Sequence, residues 1–147
     1  IERPRRRREQ AGMNRPMMRH GFILILLALL TGILVPSATV PGLALSAHTI
    51  GLLAGTLLIA IAAVWEHFDL VGKRKRLLLW SWLFATYGNW LGCVVGAILG
   101  AGRTTPIASA GVTSGLASET IVLVLLGTSG LAALAATALS LYGLRSR

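Results

Sequence analysis

Hydrophobic positions along this chain fall into four long runs that polar residues hardly interrupt. The first, "HGFILILLALLTGILVP", covers about 20–36 and is broken by the two prolines of "PSATVPG". The second extends over 46–65 and stops at the polar "EHFDLVGKRKR". A third covers 77–100 and contains "WSWLFATYGNWLGCVVGAILG". After the Gly, Ser and Thr-rich "AGRTTPIASAGVTSGLAS", the fourth occupies 119–144. Each run is close to the roughly 20 residues a helix needs to cross about 30 Å of hydrocarbon. Apolar residues cover every face, so these helices have no solvent side and lie in lipid or deep inside protein. A chain of 147 residues is too short to bury four such helices in a soluble core. The pattern therefore predicts an all-α membrane four-helix bundle. It divides the chain into a basic tail, 1–19, and a four-span domain, 20–147. No small-x-small cleavage pattern follows the first run, which is expected to remain as a span.

Composition agrees with that reading: 54% of residues are hydrophobic and only 13% charged, against about 25% charged in an ordinary soluble domain. The formal net charge of +9 acquires meaning only by position. Seven arginines precede the first span, Lys73, Arg74, Lys75 and Arg76 lie between the second and third, and Arg145 and Arg147 follow the fourth. Arg103 alone falls on the other side. Lysine and arginine collect on the cytoplasmic side of membrane proteins, so both termini and the middle loop are expected there, in an inner-membrane, multi-pass protein. Beside a span, the arginine-rich start reads as a topology signal and an anchor for anionic lipid, and no nucleic-acid partner is expected. The single cysteine, Cys93, excludes an internal disulfide and any Cys-rich metal site.

Ionisable and amide side chains at membrane depth are costly and are functional candidates for that reason. His48 opens the second span, with Gly51 and Gly55 on the same helical face. An imidazole there can ligate a metal or haem iron, and the glycines leave room for a flat macrocycle; equally, the histidine can hydrogen-bond a neighbouring carbonyl and the glycines can admit another helix. Asn89 lies about 12 residues into the third span, between Tyr87 and Trp90 in "TYGNW". Its amide serves either as glue between helices or as a substrate-orienting group with aromatic walls. Spans joined by a short loop run antiparallel, so His48 and Asn89 are expected at similar depth, around one pocket. Glu119 begins the fourth span, where a carboxylate suits a helix N-terminus and could also move a proton. His20 and His67 sit at the expected cytoplasmic face and could share an iron as in a cytochrome; His48 and His67, 19 residues apart on one helix, would stand about 28 Å apart and cannot.

The succession "RHGFILILLALLTGILVP", "PGLALSAH", "GLLAG", a basic loop, "TYGNWLG", "GAGRTTPIASAG" and "LSLYGLR" resembles the hydroxylaminobenzene mutase family of four-span membrane proteins, from about His20 to Arg145. The layout is also similar, more distantly, to styrene oxide isomerase. The resemblance implies an isomerase that converts an aryl hydroxylamine such as hydroxylaminobenzene to 2-aminophenol by moving the hydroxyl from nitrogen to the ring. It further implies a homotrimer with haem b between subunits, His48 as axial ligand beside Gly51 and Gly55, and ferric iron as Lewis acid. Asn89 would then orient the small aromatic substrate, with Tyr87 and Glu119 as further catalytic groups. Styrene oxide isomerase has a tyrosine four residues after the asparagine, where this chain has Cys93. Alternatives are an epoxide isomerase, a non-catalytic haem-binding cytochrome, or a structural membrane protein.

Overall fold

The computed structural model describes residues 13–145. The described residues form four long helices and no strand: α1 Arg15–Leu34, α2 Pro41–Ala63, α3 Lys73–Leu99 and α4 Leu116–Gly143. Short 3₁₀ turns, Val35–Ser37 and Trp65–His67, follow α1 and α2. All four helices are long and apolar enough to cross a membrane. The first twelve residues of the expected basic tail lie outside the described residues.

Each helix begins three to five residues ahead of the corresponding hydrophobic run, for local reasons. Asn14 caps α1 by accepting the Met17 N–H at 3.1 Å, and Pro16 occupies its first turn. Pro41 starts α2, where its missing N–H costs nothing. At α3 the polar residues themselves enter the helix, with Lys73 to Arg76 forming its first turn after Gly72, whose φ of 56° suits glycine. Cations at a helix N-terminus oppose the macrodipole, each by about 0.3–1 kcal/mol. Helix stability therefore does not account for their placement.

Among the described residues the basic groups other than Arg103 gather at one end. The Asn14 N–H donates to the Ala62 carbonyl and the Asp69 N–H to the Gly143 carbonyl, joining the start of α1 and the ends of α2 and α4. Aromatic rings receive the cations there: the Arg74 and Arg145 guanidinium carbons lie 5.5 and 5.7 Å from the Tyr142 ring centre, and Lys75 Nζ lies 5.6 Å from that of Trp65. Arg103 is at the opposite, far end, in the connection between α3 and α4.

Packing follows small residues. A Cβ on Gly21 would stand 2.7 Å from the Gly55 carbonyl oxygen, and one on Gly55 would stand 2.7 Å from that of Gly21, so α1 and α2 touch backbone to backbone. α3 and α4 meet through Gly88 against Ser129 and Gly92 against Leu126. The main core joins Met17, Leu24, Leu58, Leu78, Trp82 and Ala136. The bundle is less regular than the hydrophobic pattern suggests, since α4 lies along α3 and makes only sparse contact with α1 and α2. Phe22, Ile33, Leu53, Ile98 and Leu131 stay exposed and form an apolar outer surface suited to lipid.

Candidate functional site

His48 lies seven residues after Pro41, about 10 Å along α2. It is therefore deeper than the edge of the hydrophobic run implied, because the helix starts earlier. Its ring crosses to α1, where Nδ1 is 2.8 Å from the Ala28 carbonyl oxygen. A carbonyl only accepts, so Nδ1 carries the proton and donates, leaving the Nε2 lone pair free. Gly32 makes the approach possible: a Cβ there would stand 2.6 Å from Nδ1. The imidazole borders a depression of about 420 Å³ lined by Leu29, Gly32, Ile33, Val35, Pro36 and Leu45, which opens on the outer surface of the α1/α2 hairpin.

Gly51 and Gly55 share His48's face, but the room left by their missing side chains is occupied within the chain. A Cβ on Gly51 would meet the Ala28 side chain at 2.6 Å and Trp90 Cδ1 at 2.9 Å, and one on Gly55 would meet Ile25 at 2.6 Å. These glycines bring helices together and offer no open cradle.

Asn89 precedes Trp90, whose ring edge touches Gly51, so the amide lies about one turn from the level of His48. It is half-buried and has no hydrogen-bond partner among the described residues. Trp90 Nε1 next to it is buried and equally without an acceptor. An unsatisfied buried donor costs about 1–3 kcal/mol, which singles out the Trp90 N–H, while the Asn89 amide keeps contact with the surface. Asn89 is not among the residues that line the His48 depression.

Tyr87 points elsewhere. Its hydroxyl donates to the His20 carbonyl at 3.1 Å and lies 3.2 Å from His20 Nδ1, which must donate in return. The two rings meet edge to face, 5.8 Å between centres at 89°. With Ile23, Trp80, Leu83 and Phe84 they line a groove of about 430 Å³ in the basic half. His67 lies exposed on the 3₁₀ turn beyond α2. Glu119 is buried at the far end with both oxygens employed: Oε2 accepts the Arg103 N–H at 3.0 Å and Oε1 the Ser114 N–H at 2.8 Å. It closes a loop and does not border the His48 depression. Among the described residues no three His, Cys, Asp or Glu side chains come together to hold a metal ion.

The styrene oxide isomerase family matches residues 13–145, the whole described chain. The chain belongs to the styrene oxide isomerase family. It is an isomerase, and curated relatives extend the assignment. It is 38% identical to hydroxylaminobenzene mutase HabB of Ectopseudomonas oleovorans over 92% of this chain and 84% of that relative. It is 37% identical to hydroxylaminobenzene mutase HabA of the same organism over 60% of this chain and 67% of that protein. No solved structure matches.

Within this isomerase family frame, three features had no counterpart in the sequence pattern. The His20–Tyr87 pair joins residues 67 apart, and no helical spacing links them. Trp90 reads as an aromatic wall until its indole N–H is seen to lack an acceptor. Gly32 sits in an ordinary apolar run, and only the ring of His48 on the next helix shows why it is glycine.

Proposed function

We propose that this isomerase is a mutase that moves the hydroxyl of an aryl hydroxylamine, such as hydroxylaminobenzene, from nitrogen to the ortho carbon, giving 2-aminophenol. The observation that carries the reading is the 38% identity to hydroxylaminobenzene mutase HabB over 92% of the chain. The N–O bond breaks, a C–O bond forms at the ring, and the ring proton released there ends on nitrogen, so the formula and redox state are unchanged.

The donor set of this chain fits haem b. One imidazole with Nδ1–H fixed on the Ala28 carbonyl and Nε2 free is the arrangement a histidine ligand requires, and the apolar depression around it suits a macrocycle. His48 would be the ligand, and ferric iron, when bound, supplies a Lewis acid that draws electron density as the N–O bond breaks. The depression opens outward between Leu29, Ile33 and Leu45, which favours a site completed by a second subunit in a homotrimer. Asn89 and Trp90 offer an amide and an indole N–H to orient the hydroxylamine. An apolar surround keeps bulk water from trapping the ring cation, so the departing oxygen returns to the ortho carbon. The basic end faces the cytoplasm of an inner-membrane protein.

The family match favours a second reading, isomerisation of an aryl epoxide. Cys93, buried where the resemblance expects a tyrosine, weighs against it. An absorption spectrum of the detergent-purified protein, before and after anaerobic addition of phenylhydroxylamine, separates these. A Soret band that shifts while 2-aminophenol appears supports the full proposal. Product without a Soret band keeps the mutase and removes the haem. Turnover of styrene oxide but not of phenylhydroxylamine selects the second reading.

A further inference from the structure

The connection over 100–115 is rich in Gly, Ser and Thr and has no regular secondary structure, yet it is closed at three levels. Across its body, the Thr105 N–H donates to the Gly102 carbonyl, that of Ser109 to Thr105, that of Gly111 to Pro106, and that of Val112 to Ser109. At its centre, Ser109 is 1% exposed and its hydroxyl donates to the Gly102 carbonyl at 3.1 Å. At its neck, the segments leaving α3 and returning to α4 are joined by the Glu119 carboxylate, 6% exposed, through the Arg103 and Ser114 N–H groups. A carboxylate that accepts two backbone donors in the first turn of a helix is charge-assisted and favoured by the macrodipole.

The tip of this loop bears on α2. The Ala108 carbonyl oxygen rests on Gly42 so closely that a methyl group there would overlap it. Ala108 also packs on Val40, Leu43, Ala44 and Ala97, the far-end core that seats the first turn of α2. His48 lies six residues after Gly42 on the same helix.

We infer that Glu119 is a positioning residue: by clasping the neck of the 103–114 loop it holds Ala108 on Gly42 and so fixes the half of α2 that carries His48. The inference rests on reading His48 as the functional histidine. Glu119 takes no part in proton transfer on this account, and the loop is a strap across the helix start.

The test uses the purified full chain in detergent and two readouts that need neither haem nor substrate. One is tryptic cleavage after Arg103, followed by mass. The other is the rate of His48 carbethoxylation by diethyl pyrocarbonate, with exposed His67 as internal reference. Glu119→Ala and Gly42→Ala are each expected to raise cleavage after Arg103 about tenfold and His48 labelling several-fold, with His67 unchanged. Glu119→Gln keeps one acceptor oxygen and should fall between; it also serves if Gly42→Ala does not fold. Glu66→Gln, at the opposite end, should match the wild type. Faster cleavage with unchanged His48 labelling overturns the link from loop to histidine, and no change in either overturns the clasp. If His48→Ala keeps full mutase activity while these labelling results hold, the reading of His48 fails and the clasp stands.

Discussion

The two histidines within the helices, His20 and His48, use the same ring atom for opposite ends. Each donates from Nδ1 to a neighbouring helix, but His20 meets a tyrosine hydroxyl and His48 a backbone carbonyl. The Tyr87 hydroxyl both gives to and takes from His20, so each group satisfies the other, and the pair ties α1 to α3. A carbonyl only receives. It fixes the tautomer of His48 and no side-chain substitution can remove it, which is the more secure way to present Nε2. Depth in a span nominates a histidine; its partner on the next helix decides its work.

That contrast can be broken most severely at His48. His48→Ala is expected to lose the Soret band and to lower mutase turnover by at least about 100-fold, whereas His20→Ala keeps the band. Gly32→Ala tests the support without touching the ring, since its methyl would stand 2.6 Å from Nδ1 and push the imidazole off Ala28. Haem affinity should fall about tenfold, measured by titrating haemin into the apoprotein. The smallest effect belongs to the other pair. Tyr87→Phe removes its hydrogen bonds at a cost of about 1 kcal/mol, seen as a lower thermal midpoint in detergent with turnover retained.

The four long helices are legible in the sequence because a helix able to cross lipid is a long run with no polar face, a pattern that few residues interrupt. Helix starts are less legible. Arg15, Arg19 and Lys73 to Arg76 look like loop residues by hydropathy, yet they continue the helices as far as Asn14 and Gly72. His48 and Asn89 stand out by their cost at depth. What fills the space beside them does not, because Gly51 and Gly55 read the same whether they face a macrocycle or, as here, Ala28, Ile25 and Trp90. Glu119 shows the limit most clearly: a carboxylate opening a helix is visible in the sequence, but its acceptance of two loop N–H groups depends on how a 16-residue connection folds back.

The mutual contact of Gly21 and Gly55 also bears on how the four helices divide. α1 and α2 satisfy one another through their own backbones, while α4 leans on α3 and on little else. The fold is in this sense two hairpins laid together, and a side chain at Gly21 or Gly55 would part the first of them at its closest point.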